Sequence, residues 1–302
     1  MNPAPAAQRA LDVLDLLARD PSTELSLSEI ARRLSMPRAT CQSVLLALVE
    51  RGFLVRHDDA ITYTLGPACV RVGDAAAHAA PLLHLAERAA AQLSRRIGLS
   101  TGVVARNGRN CTVVSAHQSG DPFTASLRDG QTLPLTAPFG AAWIAWADKR
   151  AIDRWLTYDP PLTKAERHRI LDKLAAVRTR GYAVALTPSP HHATLAALIN
   201  PEPRASVDRR RQRDARMRAV AAGDYLLAGP RPTGALQFSH MSAPVFSHTG
   251  AVEFVVMVLG PPRALDPAPL EQIGALLLEA TGRISQAPPK ARCVERERDV
   301  CA

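Results

Sequence analysis

The sequence is short of the features that would place it in a membrane, an oxidised compartment or a metalloenzyme. Its clean apolar runs are short, six residues from Phe254 to Leu259 and seven from Ala141 to Ala147, against the roughly 20 that a membrane-spanning helix requires. The opening MNPAPAAQRALDVL has no basic segment leading into an apolar stretch, so no secretory leader is read there and a cytoplasmic location is expected. The five cysteines (Cys41, Cys69, Cys111, Cys293, Cys301) are scattered without a C-x-x-C pair. That excludes a disulfide framework and a Cys-based zinc site, leaving only a reactive thiol at Cys293 or Cys301 open. His191, His192, His240 and His248 show no H-x3-H spacing, so neither a metal nor a cofactor is expected. There is no P-loop, H-E-x-x-H or G-x-G-x-x-G motif. Ser115, His117 and Asp121 are neighbours along the chain, but a triad is defined by geometry rather than adjacency, and an enzyme is not expected.

What is present is a chain of 302 residues, 47% hydrophobic, enough for two domains with sizeable cores. The net charge of +9 invites a nucleic-acid partner, yet its distribution weakens that inference. Residues 1–78 hold 8 Arg/Lys and 9 Asp/Glu, while seven arginines crowd between Arg204 and Arg218. Local pattern must therefore carry the argument.

In residues 6–19, Leu11, Leu14 and Leu17/Ala18 share one helical face, and Asp20-Pro21 ends the helix. Ser26 followed by Glu29 reads as a capping box, and Leu27, Ile30, Ala31 and Leu34 form the stripe of a short second helix ending at Ser35-Met36. Pro37 suits the first position of a third helix. There Cys41, Val44, Leu45, Leu48 and Val49 make the buried face, and Arg38, Ala39, Gln42 and Ser43 the opposite one. Phe53–Val55 and Ile61–Leu65, joined by His57-Asp58-Asp59, read as a hairpin. Helix, short helix, longer helix and hairpin is the order of a winged helix-turn-helix, assigned to residues 1–66.

A linker helix is expected over 67–80 and a second domain over 81–286. That domain begins with a helix at 81–97 and continues with strands and turns over 99–135. Helices follow at 139–148, 149–157 and 163–180, then strands at 235–246 and 251–259, and a last helix at 267–285. The fold class is α+β. The charged tail, 287–302, is expected to be disordered.

The stretch LSLSEIARRLSMPRATCQSVLLALVERGFL resembles the helix-turn-helix of the IclR family of bacterial regulators, and the hairpin ending Tyr63-Thr64-Leu65-Gly66 resembles that family's wing. Arg128-Asp129-Gly130, Leu133-Pro134-Leu135, Arg180-Gly181-Tyr182-Ala183-Val184 and Ser242-Ala243-Pro244-Val245-Phe246 are similar to recurrent segments of the family, in the same order. The resemblance spans nearly the whole chain. It implies a DNA-binding domain, a helical linker and a GAF-like effector-binding domain, with dimerisation through the N-terminal half and a small-molecule effector. A homodimer or homotetramer on a pseudo-palindromic double-stranded operator follows, because two recognition helices then enter successive major grooves. The chain departs from the family at Ser43, where a basic residue is frequent, and in an Arg-rich insertion near 186–234. It also carries His240, Met257 and Leu259 where members sensing small carboxylates tend to carry Ser or Cys.

The expected DNA-binding residues are Arg32, Arg33, Arg38, Ala39, Thr40, Gln42, Ser43 and Arg56. Arg38 and Gln42 have the geometry to read guanine and adenine. Arg32, Arg33 and Arg56 suit phosphates, although Arg32 and Arg33 could equally serve the dipole at a helix end. The run Arg209-Arg210-Arg211-Gln212-Arg213 is read as a solvated, ion-paired helix face rather than a second DNA contact.

Effector binding is assigned to Gly130, His240, Met257 and Leu259. Both faces of the strand through 254–259 are apolar, which suits a partly hydrophobic ligand with one polar end held by His240 or by backbone N–H groups near Gly130. Three alternatives stay open: a filled, ligand-free second domain acting through protein contacts, an adaptor that uses its winged helix without DNA, and a hydrolase-like enzyme.

Overall fold

The computed structural model describes residues 4–18, 20, 22–108, 110–119, 127–157, 161–187, 225–229 and 231–285, with isolated positions 208, 212, 215, 218, 220 and 223. The tail 287–302, Asp121, His191, His192 and most of the Arg-rich insertion lie outside the described residues. The chain divides into two compact units, Met1–Pro81 and Leu82–Ala302.

The first unit runs α1 (Pro5–Ala18), β1 (Leu25–Ser26), α2 (Leu27–Arg33), α3 (Arg38–Glu50), β2 (Leu54–His57), β3 (Thr62–Leu65) and α4 (Pro67–Ala79). Its core gathers Val13 and Leu17 of α1, Ile30 of α2, Cys41, Leu45 and Leu48 of α3, and Leu54 and Tyr63 of the hairpin. The α1 face differs from expectation. Leu11 is 61% exposed and Val13 wholly buried, because the buried stripe runs through 10, 13, 14 and 17 rather than 11, 14 and 17/18. Pro37 sits at the N-cap of α3, one position before the first helical residue, a shift within the usual spread of helix boundaries. The two-residue β1 is too short to show a period-two signal; it pairs with β3 and makes the sheet three-stranded, in the order β1-β3-β2. At the end of the hairpin, a Cβ on Gly66 would lie 2.4 Å from the Gly52 carbonyl oxygen. Only glycine lets β3 close against the end of α3 there.

The second unit runs α5 (Pro81–Ile97), β4 (Thr101–Asn107), β5 (Asn110–His117), β6 (Thr132–Pro134), α6 (Ala141–Ile144), α7 (Lys149–Trp155), α8 (Lys164–Arg180), β7 (Ala183–Leu186), β8 (Phe238–Phe246), β9 (Val252–Leu259) and α9 (Pro267–Ile284). The strands form one antiparallel sheet in the order β6-β5-β4-β9-β8-β7, giving the α+β architecture expected. The helix expected over 139–148 is reduced to α6. Gly140 takes a left-handed φ of 75° just before it, and Asp148 already caps α7 by accepting from the Ala151 N–H at 2.7 Å. Both α6 and α9 pack on β8 and β9. Val255, Met257 and Leu259 join the cluster built with α6, α7 and α8, while the alternate Val256 and Val258 are wholly buried outside that cluster. Burial on both faces explains why β9 reads as an unbroken apolar run.

Candidate functional sites: an exposed helix face and a buried cavity

The helix-turn-helix is built from its caps inward. Ser26 Oγ accepts from the Glu29 N–H, and Glu29 Oε2 accepts from the Ser26 N–H at 3.0 Å, closing the capping box that starts α2. Burial of Cys41, Leu45 and Leu48 then fixes the rotation of α3 and turns Arg38, Ala39, Gln42 and Ser43 outward, with Thr40 half-buried. Arg38 Nη1 donates to Ser28 Oγ at 2.6 Å, tying the start of α3 to α2. Ser43 donates to the Ala39 carbonyl oxygen at 3.1 Å, so its proton is already spent on its own helix. Arg32 and Arg33 are exposed at the end of α2. Arg56, on β2, lies 3.5 Å from Asp58 beside the wing turn.

In the second unit a cavity of about 230 Å³ opens between the sheet and α6. His240, Met257 and Leu259 all line it; Gly130 does not, although its neighbour Gln131 does. Gly130 donates its N–H to the Val113 carbonyl at 2.8 Å, and Gln131 donates to Arg128 at 3.1 Å. Those backbone donors are committed to the loop, which removes them as a carboxylate cradle. Sequence reasoning missed Ser239, Ser242, Cys111 and Tyr225 on the cavity wall. The wall is therefore less stripped of small polar groups than the Met and Leu substitutions alone imply. The pairing register gives the missing signal: His240 lies opposite Leu259 and Ser242 opposite Met257, so a polar strand edge faces an apolar one.

Burial shapes the chemistry of these groups. It holds the His240 imidazole well below its usual range, at about 4, and so neutral. It pushes the Cys111 thiol up to about 12, leaving it protonated, and raises Tyr225 as well. Trp143, also on the wall, has a buried indole N–H with no hydrogen-bond partner among the described residues. Tyr225 and Leu226, inside the expected insertion at 186–234, reach the cavity, and α8 pins the backbone beside them. Lys173 donates to the Gly223 carbonyl, and Arg180 to those of Leu227 and Gly229. Both cations are buried, and backbone carbonyls satisfy them.

Two arrangements could suggest a hydrolase. Ser115 Oγ and His117 Nε2 are 3.1 Å apart on β5, but Asp121 is outside the described residues. Sequence reasoning, which expected no G-x-S-x-G, missed that Gly98-Leu99-Ser100-Thr101-Gly102 fits that pattern. A nucleophile elbow runs from strand to helix, whereas Ser100 lies between α5 and β4, runs from helix to strand and is buried. Among the described residues, no group of three or more His, Cys, Asp or Glu could hold a metal ion, and no helix is long and apolar enough to cross a membrane.

Residues 6–58 match the family model described as the IclR helix-turn-helix domain, and residues 74–189 match that of the bacterial transcriptional regulator IclR C-terminal domain. The HTH-type transcriptional regulator XynR of Escherichia coli (strain K12) is 28% identical over 185 residues, 59% of this chain and 73% of that protein. The crystal structure of an IclR transcriptional regulator from Alicyclobacillus acidocaldarius superposes with a TM-score of 0.60 at 22% identity, covering 94% of this chain and 98% of that one. An IclR homolog from Microbacterium hydrocarbonoxydans, solved with 4-hydroxybenzoate, gives a TM-score of 0.60 at 18% identity over 93% and 97% of the two chains. The matched domains and relatives are those of transcriptional regulators, not enzymes. The second match stops at 189, short of Tyr225 and Leu226.

Proposed function

The chain belongs to the IclR family, with a DNA-binding N-terminal domain and an effector-binding C-terminal domain, and we propose that a small, partly hydrophobic metabolite in the 230 Å³ cavity modulates its sequence-specific binding to DNA. The observation that carries this reading is the cavity itself. A filled core would leave no such space, and an engineered apolar cavity of about 150 Å³ already admits benzene. The homolog that holds 4-hydroxybenzoate shows a single-ring compound in a protein of this fold. In this reading Arg38 and Gln42 contact bases, with Ala39, Thr40 and Ser43 beside them, and Arg32, Arg33 and Arg56 hold phosphates. His240, Met257 and Leu259 contact the effector, while Gly130 serves the loop alone.

The operator is a pseudo-palindrome read by a homodimer or homotetramer in the cytoplasm. Val70 and Val72 on α4, 63% and 57% exposed, offer apolar surface for a second copy to cover.

The test is selection of duplexes from a random library by the purified protein, followed by mobility shift with ring compounds added. Enrichment of inverted half-sites about one helical turn apart, or a multiple of that, is expected, with a binding midpoint that moves when a compound is bound. Failure to enrich any sequence would overturn the DNA assignment, and a midpoint indifferent to bound compounds would overturn the effector role.

A further inference from the structure

The hydrogen bonds around His240 restrict what a ligand must carry. Ser239 Oγ donates its single proton to the Ala185 carbonyl oxygen at 3.1 Å. The same oxygen lies 3.3 Å from His240 Nδ1, so in that contact Ser239 can only accept. Nδ1 is therefore the protonated ring nitrogen. The Tyr225 ring stands 6.3 Å from the imidazole. One proton donated to Ala185 and one bond accepted from the imidazole fix the tautomer. Because burial keeps the imidazole neutral, Nε2 is left as a lone pair without a partner among the described residues, on a side chain that lines the cavity.

The rest of the wall narrows the class of ligand. Among the described residues lining the cavity there is no Lys, Arg, Asp or Glu. No charge there would offset a carboxylate set against the Nε2 lone pair, where two acceptors would repel. Ser242, two residues along β8, adds a hydroxyl able to donate or accept. Opposite these two stand Leu259 and Met257, which offer only apolar contact. A volume of about 230 Å³ takes one substituted ring rather than two.

We infer that the cavity selects a single-ring, apolar-bodied ligand bearing a hydroxyl, a phenol or cyclic alcohol, whose O–H donates to Nε2 of His240. This rests on the reading of the cavity as the effector site and adds what that reading leaves open: the group at the polar end and the residue that reads it.

The experiment compares ligands that differ only in the donor. Binding of 4-ethylphenol and of its methyl ether, 4-ethylanisole, to the full-length protein is measured by calorimetry, with Trp143 fluorescence as a second readout because that ring lines the cavity. The phenol is expected to bind about tenfold tighter than the ether, the usual scale of one buried hydrogen bond gained against one lone pair left unmet. In H240L the ratio is expected to fall to about one, mainly through loss of phenol affinity. In H240Q, whose amide oxygen restores an acceptor, most of the preference should return. Equal affinities in the wild-type protein, or a preference unchanged in H240L, would overturn the inference while leaving the cavity a ligand site. Absence of binding by either compound and by the matched pair cyclohexylmethanol and its methyl ether would overturn both readings. The wild-type comparison stands without any variant, so a poorly folding substitution does not decide the outcome.

Discussion

In residues 1–81 the side chains assigned to a partner lie outside a finished apolar core, whereas in residues 82–302 they lie inside one. Arg38, Gln42 and Ser43 are surface groups on a helix whose opposite face is buried by Cys41, Leu45 and Leu48. His240 and Ser242 are polar groups on a strand set between helical layers, surrounded by Val255, Met257 and Leu259. The difference governs how each site tolerates change. A helix surface can be rewritten while the core holds it in place. A polar group in a cavity wall belongs to the packing, and its hydrogen bonds must close among themselves or with a ligand.

The strongest way to break this comparison is to damage one core and ask what survives. Leu45 is wholly buried in α3, and Leu45→Ala is expected to cost about 2–5 kcal/mol. DNA binding should be lost at a temperature where ring compounds still bind. Two-stage thermal unfolding, with the earlier transition displaced and the later one unmoved, would sustain the separation into independent cores. A single displaced transition would refute it.

Acid provides the next largest effect, aimed at the buried site. Burial lowers the His240 pKa in the folded protein to about 4, from the ordinary imidazole value of 6.5. The unfolded chain thus binds the proton first as pH falls. The neutral ring's contribution is fully present above pH 6.5 and is lost progressively between pH 6.5 and about 4. At one pKa unit per about 1.4 kcal/mol, the loss reaches at most roughly 3 kcal/mol. Urea midpoints across that window should drop for the wild-type protein and flatten in H240L. An identical slope in both would mean that another group carries the acid sensitivity.

The same contrast explains what the sequence makes legible. In α2 and α3 each signal is local: the capping box occupies Ser26 and Glu29, and the buried stripe recurs every three or four residues. Rotation of α3, and with it the set of outward side chains, follows from those signals alone. Leu11 marks the limit, since two overlapping stripes fit α1 and only packing against α3 and the hairpin chooses 10, 13, 14 and 17. The cavity is non-local. His240, Met257 and Leu259 could be placed on its wall only through the family resemblance, which marks those positions as flanking the pocket. Cys111, Trp143 and Tyr225 arrive from β5, α6 and a segment pinned to α8 through Lys173 and Arg180. No spacing along the chain connects them. Gly130 fails for a related reason: the loop is near the wall in sequence, but its N–H is already bonded to Val113.

Sharpening the comparison on the exposed side calls for substitutions that leave the core alone. Arg38→Ala and Gln42→Ala are each expected to lose about 1–3 kcal/mol of discrimination at one base position per bidentate contact removed, with the melting temperature unchanged. Arg38→Ala also frees Ser28 from its 2.6 Å bond, a surface loss worth a few tenths of that amount. Competition binding against single-base operator variants separates the two. If both substitutions leave preference and affinity intact, the face of α3 that meets DNA is a different one.

The smallest effect tests the charges. Residues 1–78 hold 8 basic and 9 acidic side chains, so few phosphate contacts are available and each should be visible individually. Removing one contact lowers the slope of log affinity against log salt by about 0.9 for duplex DNA. Arg33→Ala, at the exposed end of α2, should show that change on operator and random DNA alike, because phosphates carry no sequence information. Arg56→Ala should show less, since its guanidinium already lies 3.5 Å from Asp58 and binding must break or share that pair. Asp58→Ala then becomes the informative partner. It releases Arg56 and removes a negative charge from the wing turn, so affinity for every sequence should rise and the salt slope steepen. A slope unchanged in Arg33→Ala would reduce that arginine to complementing the C-terminal dipole of α2. An unchanged affinity in Asp58→Ala would place the wing away from the phosphates altogether.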